Sequence, residues 1–273
     1  MHCDRHGVEL RLRECRKTWL IMSAHIKYSI ITAVYNGKKY LSRLMASVFQ
    51  QSYPHIEWIV QDGGSTDGTL ELLRPYENRI RLVSEPDTGV YDAWNKGIAR
   101  ATGDWALFLG ADDFLLSPNT IAQCHRHVQD LPPNIDMAFG ALFMGRDGKP
   151  KGLVKRTLCQ AYHMMLMDVG IPFPATFTRV PLLQRVGFDP SFKIAGDYDM
   201  VARVLTDDNL ARIPIIVSYM EMGGISGTRN NCTLLEERMR ILFQRIAPKA
   251  RIFMEACANH LLDGDEKLED TLQ

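Results

Sequence analysis

Two adjacent carboxylates, Asp112 and Asp113, follow directly on a short apolar run over 105–109. Such a run is too short to cross a membrane and predicts a buried strand; burial on both faces is typical of a parallel sheet covered by helices. Ligands of open α/β sheets bind at the carboxyl ends of the strands, where this pair would lie. Two neighbouring negative charges favour a cation, and Mg²⁺ is often shared between one or two carboxylates and substrate phosphates. The sequence therefore predicts a metal-diphosphate site, and the alternative is a pair that caps the following helix.

Two further acids lie where a predicted strand ends or a predicted helix begins. Asp62 follows the second predicted strand, before Gly63-Gly64, and Asp197 opens a helix in the second half of the chain. In a parallel sheet Asp62 shares one edge with Asp113, so the first could accept a hydrogen bond from a nucleobase while the second holds the metal. The structural alternatives are a turn-former at Asp62 and a helix cap at Asp197, with Asp199 in the first turn favoured by the helix dipole.

The elements that would position these acids alternate regularly in the first half of the chain. Strands are predicted over 26–34, 56–60, 80–83 and 105–109, separated by helices that begin near Leu41, after Asp67 and at Val90. This order implies right-handed crossovers and a parallel sheet. In the second half, helices are predicted over 117–130 and 181–186 and from Gly196, and strands over 135–144 and 213–219. A last long helix carries an apolar stripe at Leu235, Met239, Leu242 and Ile246.

Composition bounds the class of protein. The 273 residues are 46% hydrophobic and 23% charged with formal net charge +0, which is ordinary for a globular chain and gives no sign of nucleic-acid binding. The six cysteines form no CxxC pair, and no secretion signal is seen, so a cytoplasmic protein with reduced thiols is expected.

We expect a flexible extension over 1–25, a nucleotide-sugar-binding half over 26–116, an acceptor-binding half of the same domain over 117–262, and an acidic tail over 263–273. Whether residues 1–21 belong to the native protein stays open.

Four motifs, in order and with consistent spacing, resemble the family 2 glycosyltransferases. The stretch that resembles this family covers residues 28–116, about a third of the chain. Its motifs are Ser29-Ile30-Ile31-Thr32-Ala33-Val34-Tyr35-Asn36, Asp62-Gly63-Gly64-Ser65-Thr66-Asp67-Gly68-Thr69, Gly89-Val90-Tyr91-Asp92-Ala93-Trp94-Asn95-Lys96-Gly97 and Phe108-Leu109-Gly110-Ala111-Asp112-Asp113. Two later stretches, 192–199 and 223–226, also resemble the family. The combination is most similar to bacterial enzymes that build cell-surface polysaccharides or glycolipids. The resemblance implies the α/β GT-A fold, a Rossmann-like arrangement with a mostly parallel central sheet flanked by helices.

The resemblance also implies roles for the matched residues. Asp112 and Asp113 match the metal-binding DxD motif and would hold Mg²⁺ or Mn²⁺, with Asp113 as the principal ligand. Asp197 lies where the family has its catalytic base, and Asp199 is the alternative. The residues implied to bind the nucleotide sugar are Thr32, Tyr35, Asp62, Asn95 and Asp112.

Two glycines depart from the family pattern. Gly110 stands where the DxD-type motif often begins with an acid, although the two acids that follow it remain. Gly196 stands where a Glu often precedes the base, which is the reason for keeping Asp199 as the alternative.

The implied activity is that of an inverting, metal-dependent glycosyltransferase. Asp197 would take the proton from an acceptor hydroxyl as that hydroxyl attacks the anomeric carbon, and the metal would neutralise the departing diphosphate. A single base opposite the leaving group inverts the anomeric configuration without a covalent intermediate. UDP is the first expectation for the donor nucleotide, with GDP and dTDP open, and a saccharide or lipid-linked acceptor is expected.

Two other functions and several partners stay open. A sugar-1-phosphate nucleotidyltransferase would use a similar sheet, but the segment 34–39 lacks the Gly-rich, Arg/Lys-bearing loop that grips a triphosphate. A non-catalytic module that binds nucleotide sugars would show binding without turnover. Association with the inner face of the membrane and a homodimer through the C-terminal stripe are further open possibilities.

Overall fold

The computed structural model describes residues 26–166, 170–223 and 232–262 of the chain. The predicted extension over 1–25, most of the glycine-rich loop at 223–227 and the acidic tail over 263–273 therefore lie outside the described residues. The division into halves at residue 116 stays a prediction. Over the part of the chain that is described, no helix has the length and apolar character needed to span a bilayer.

The described elements follow the strand–helix order that the sequence predicts for the first half. The strands are β1 (Tyr28–Val34), β2 (Ile56–Asp62), β3 (Arg81–Ser84), β4 (Trp105–Phe108), β5 (Phe114–Leu115), β6 (Met137–Arg146), β7 (Lys149–Val154), β8 (Thr176–Arg179) and β9 (Leu210–Glu221). The α-helices are α1 (Lys38–Phe49), α2 (Thr69–Leu73), α3 (Val90–Arg100), α4 (Thr120–Val128), α5 (Leu158–Met164), α6 (Val180–Val186), α7 (Gly196–Val204), α8 (Cys232–Ile241) and α9 (Ala250–Leu262). Short 3₁₀ turns lie at Arg74–Tyr76, Phe173–Ala175 and Ala247–Lys249, and a π turn lies at Leu242–Ile246.

One nine-stranded sheet runs through the molecule in the order β3-β2-β1-β4-β8-β6-β9-β5, and β7 pairs with β6. The first four of these strands are parallel, because helical crossovers join β1 to β2, β2 to β3 and β3 to β4 along the chain. The later strands add the antiparallel pairs β4–β8, β8–β6, β6–β7 and β9–β5, together with the parallel pair β6–β9. The predicted α/β fold is confirmed. Its parallel character belongs to the first half, and the sheet as a whole is mixed.

The strand β6 turns directly into β7 through Asp147 and Gly148. Both residues have positive φ, 52° and 74°, which is the backbone that a tight two-residue hairpin requires and that Asp-Gly supplies readily. The turn predicted at residues 146–149 is therefore confirmed, and it projects a hairpin from the sheet.

The central strands are buried on both faces, as the apolar run over 105–109 predicts. Ile31 of β1 and Phe108 of β4 belong to one core cluster, which α3, α7 and the C-terminal helices complete. Ile30 and Leu107 belong to the opposite cluster, with the inward side chains of α1, including Leu41. Two covered faces leave the carboxyl ends of the strands as the open edge of this half of the sheet.

Glu57 joins the amino ends of the central strands. Its carboxylate accepts hydrogen bonds from the Ser29 hydroxyl at 2.6 Å, the Thr102 amide at 2.7 Å and the Gly103 amide at 3.1 Å. Lys27 Nζ lies 2.9 Å from the second oxygen. Burial alone would raise the pKa of Glu57, but the bonds from Ser29, Thr102 and Lys27 outweigh it and lower this pKa to about 2.

We expect Glu57→Gln to destabilise the protein by about 2 kcal/mol at pH 7 and by much less near pH 3. The folded pKa of Glu57 lies below the unfolded value, so its contribution is present above about pH 4.5 and is lost as the pH falls toward 2. Urea unfolding of both proteins between pH 7 and pH 3 measures the difference. The exposed Glu77→Gln is the matched control, and a Glu57→Gln effect that is independent of pH would contradict this account.

Candidate functional site

The Asp112-Asp113 pair lies in a tight turn between β4 and β5. The Asp113 carboxylate accepts a hydrogen bond from the Gly110 amide at 2.9 Å, and its own amide donates to the Gly110 carbonyl at 3.2 Å. No helix follows the pair directly, since α4 begins at Thr120 and has Asn119 at its N-cap. The helix-capping alternative is therefore wrong for these two acids.

Gly110 makes room for the two carboxylates that follow it. A β-carbon at this position would lie 2.8 Å from Asp112 Oδ1 and 3.1 Å from Asp113 Oδ2. A larger residue would therefore push both acids away from the turn. Gly110, where the family often has an acid, therefore allows both carboxylates to pack close to the backbone of the turn.

The environment of the pair disfavours two negative charges. Asp113 is only 6% exposed; burial, together with the charge of Asp112, raises the pKa of Asp113 to about 7. Burial likewise raises the pKa of Asp112, and the nearby charge of Glu221 adds to this. A bound cation would offset this cost of burial and like charge by stabilising the ionised carboxylates.

The residues present fit a divalent cation that is shared with a ligand. Among residues 26–166, 170–223 and 232–262, no group of three or more His, Cys, Asp or Glu side chains is arranged to hold a metal by itself. Glu221 lies close: its amide donates to Asp113 Oδ1 at 3.3 Å, and its own carboxylate accepts from the Asp147 and Gly148 amides of the hairpin turn. Asp112 and Asp113 would thus supply two oxygen ligands, and diphosphate oxygens and water would supply the others.

A cavity of about 530 Å³ lies beside the acidic pair, and Asp112, Asp113 and Asp197 all line it. Its other walls come from the β6–β7 hairpin, from the segment 170–174 and from α8. The apolar part of the lining includes Leu142, Met144, Ile171, Phe173, Met220 and Leu234. Arg146, at the end of β6, and Arg156, two residues after β7, add positive charge.

Asp197 lies in the first turn of α7 and is not the helix cap. The N-cap position belongs to Ala195, which makes no side-chain capping bond. Asp197 Oδ1 accepts from the Tyr198 amide at 2.9 Å and lies 3.4 Å from the Tyr91 hydroxyl. A β-carbon added at Gly196 would lie 2.7 Å from the Tyr91 ring. A side chain at position 196 would clash with this ring, so glycine there allows Tyr91 to pack directly against the start of α7.

Asp199, the alternative base, is enclosed. It is fully buried, and its two oxygens bond to Arg203 Nε at 2.7 Å and to Arg245 Nε at 3.1 Å. It does not line the cavity. The structure thus separates the two acids, with Asp197 toward the cavity and Asp199 in a buried ion-pair network.

Asp62 and Tyr35 lie side by side at the carboxyl ends of β2 and β1, outside the lining of the cavity. Asp62 Oδ2 accepts from the Gly64 amide at 3.0 Å and from the Ser84 hydroxyl at 2.6 Å, so Asp62 does shape its turn. Its Oδ1 is buried and has no hydrogen-bond partner among the described residues. The ring of Tyr35, 68% exposed, lies beside Gly63, where a β-carbon would be 3.5 Å from its Cδ2.

Thr32 and Asn95, two other residues implied to bind the nucleotide sugar, are occupied by internal contacts. Thr32 is fully buried and accepts a hydrogen bond from Trp58 Nε1 at 3.1 Å. Asn95 bonds to the Phe188 carbonyl and to the Phe188 amide, both at 2.8 Å, so its amide group ties α3 to the segment before α7.

Sequence inspection missed two residues beside the acids. Glu221 ends β9 next to the acidic pair, and its signal was an acid at the end of an apolar strand before Gly223. Tyr91 lies within a matched motif, but only the three-dimensional structure brings it to Gly196.

Comparison with known proteins supports one family for this chain. The sequence model described as "Glycosyl transferase family 2" matches residues 29–169. A PGL/p-HBAD biosynthesis glycosyltransferase of Mycobacterium bovis is 30% identical over 217 residues, which covers 74% of this chain and 79% of the relative.

Solved structures with low sequence identity share the fold. TarS 1-349 of S. aureus, in complex with UDP-GlcNAc, aligns with a TM-score of 0.67 at 19% identity and covers 87% of this chain and 73% of that chain. The mannosyltransferase PcManGT of Pyrobaculum calidifontis, in complex with GDP-Man and Mn²⁺, aligns with a TM-score of 0.58 at 18% identity and covers 95% and 79%. Both likenesses support the GT-A fold.

Proposed function

This chain belongs to glycosyltransferase family 2, and from that premise we propose that it moves a sugar, with inversion, from a nucleoside diphosphate sugar to an acceptor hydroxyl. The observation that carries the proposal is that Asp112, Asp113 and Asp197 line one cavity. One acidic site for the diphosphate and one separate acid for the acceptor are the parts that single-displacement transfer requires. The related mycobacterial enzyme supports a product among cell-surface glycolipids or polysaccharides.

In this mechanism Asp197 acts as the general base. Its carboxylate takes the proton of the acceptor hydroxyl while that oxygen forms a bond to the anomeric carbon. The bond between the anomeric carbon and the diphosphate breaks, and its electron pair leaves with the diphosphate. Mg²⁺ or Mn²⁺ held by Asp113 and Asp112 would supply positive charge for that leaving group. Attack opposite the leaving group inverts the anomeric configuration.

Tyr35 and Asp62 form the proposed base-binding end of the donor site. The exposed ring of Tyr35 offers a face for stacking, and Asp62 Oδ1 offers a buried acceptor for a nucleobase N–H. Uracil and guanine both carry such an N–H, which keeps UDP as the first expectation and GDP and dTDP as the others.

We expect Tyr35→Ala to weaken UDP binding about tenfold, because stacking on an aromatic ring is worth about 1–3 kcal/mol per base. Titration calorimetry with UDP and Mn²⁺ measures this. Tyr35→Phe keeps the ring and should bind UDP like the native protein. If Tyr35→Ala binds UDP with unchanged affinity, the base does not stack on Tyr35.

The apolar walls of the cavity support an acceptor with an apolar part. Ile171 and Phe173 precede β8, while Leu234 comes from α8, so two separate segments of the second half would contact it. Arg146 and Arg156, which also line the cavity, suit an acceptor that carries a phosphate or other acidic group.

The test is a panel of UDP-, GDP- and dTDP-sugars with Mn²⁺ or Mg²⁺, in the presence and absence of octyl glycosides as acceptors. A glycosyltransferase releases nucleoside diphosphate faster when the acceptor is present and yields a product of inverted anomeric configuration. Pyrophosphate release from sugar 1-phosphate and nucleoside triphosphate would instead indicate a nucleotidyltransferase. Binding of nucleotide without turnover across the panel would indicate a non-catalytic module.

A further inference from the structure

One carboxylate from α8 holds the backbone that leads into α7. Glu237 of α8 accepts hydrogen bonds from three successive backbone amides, those of Lys193 at 2.6 Å, Ile194 at 3.0 Å and Ala195 at 2.8 Å. Glu237 is only 8% exposed. Hydrogen bonds of this charge-assisted kind are about twice as strong as neutral ones, so the three amides are fixed relative to α8.

The same short segment is held from its other side and along its length. The Ile194 carbonyl accepts from the Tyr91 hydroxyl at 2.5 Å, which ties the segment to α3. Arg240, one turn after Glu237 on α8, bonds to the Ser191 hydroxyl at 3.0 Å and the Asp189 carboxylate at 3.3 Å. Backbone donors and a backbone acceptor of the segment therefore have partners on two different helices.

A buried carboxylate is a costly way to attach a helix to a loop. Apolar packing would serve that end without removing a charge from water. The carboxylate also fixes geometry, because three N–H bonds to one group set both the position and the orientation of the segment. Asp197 lies two residues beyond the last of these amides.

We propose that Glu237 is a positioning residue for Asp197. By holding the amides of residues 193–195, it fixes the start of α7 so that the Asp197 carboxylate faces the cavity. This inference rests on the proposed role of Asp197 as the base. Leu234 and Arg238 of the same helix line the cavity, so the placement of the base depends on the helix that also forms part of the proposed acceptor wall.

The experiment compares Glu237→Ala and Glu237→Gln with the exposed Glu236→Gln on the same helix. The assay uses the donor and the octyl glycoside that turn over fastest in the panel above. We expect Glu237→Ala to lower kcat about 10²-fold, since a misplacement of about 1 Å can cost that much. The donor KM and the affinity for UDP should stay within about twofold of the native values. Glu237→Gln retains one acceptor oxygen and should recover part of kcat, and Glu236→Gln should match the native protein.

The outcomes separate this inference from the proposed function. If Asp197→Asn abolishes transfer but both Glu237 variants keep native kcat, the positioning role is wrong and the proposed function stands. If kcat and UDP affinity fall in parallel with the thermal midpoint, Glu237 is structural, which also overturns the inference. If Asp197→Asn retains transfer, the base assignment itself fails. Should Glu237→Ala not fold, the kcat of Glu237→Gln decides in the same way.

Discussion

Replacing Asp113 by alanine is expected to lower sugar transfer at least about 10³-fold, because the loss of several kcal/mol of charge stabilisation at the leaving group corresponds to such a factor. The side chain is buried next to Asp112; burial and that neighbouring charge raise its pKa to about 7, and a bound cation would favour the ionised form. Release of nucleoside diphosphate with Mn²⁺ present measures the effect. Circular dichroism should show that the variant keeps the native fold.

Two comparisons make the Asp113 result specific. Asp130→Ala removes an exposed acid after α4 and should leave transfer unchanged. Native protein that has been treated with EDTA and dialysed should lose transfer like Asp113→Ala, but should regain it on addition of Mn²⁺. Full turnover of Asp113→Ala with metal present would rule out this aspartate as the ligand that the reaction needs.

The first half of the fold could be predicted because its signals are local. Apolar runs end at glycine- or acid-rich turns and alternate with helical periodicity, and each strand is joined to the next by a helical crossover. The second half is different. The short strand β8 follows a 3₁₀ turn at Phe173–Ala175 and runs antiparallel between β4 and β6, which are distant in sequence. The residues that neighbour β8 in the sequence carry no pattern that predicts this pairing.

The candidate site was predictable where strand ends supply the chemistry. Asp62 ends β2, and Asp112 and Asp113 follow β4, so their shared edge follows from the parallel order of these strands. Membership of a motif does not reveal what a side chain contacts, however. Asn95 lies in a matched motif, yet both ends of its amide bond to the backbone of Phe188. Glu237 carries no sequence signal, because its three partners lie 42 to 44 residues away.

Asp197→Asn is expected to lower kcat about 10²- to 10⁴-fold, the range that a general base contributes. The amide oxygen can still accept from the Tyr198 amide, so the start of α7 should keep its geometry. In the proposed mechanism the donor binds at Asp112 and Asp113, so UDP affinity should be unchanged. Single-turnover measurement of product formation separates this loss of chemistry from a loss of binding.

Asp199→Asn is the most informative comparison, because it makes the same change, from carboxylate to amide, two residues further along α7. Asp199 is buried between Arg203 and Arg245, and breaking a buried ion pair costs about 3–5 kcal/mol. We therefore expect Asp199→Asn to lower the thermal midpoint but to keep near-native kcat per folded molecule, and Asp197→Asn to do the opposite. A stable Asp199→Asn that has lost catalysis, beside an active Asp197→Asn, would transfer the role of base to Asp199. It would also require α7 to rotate, since Asp199 does not line the cavity in this structure.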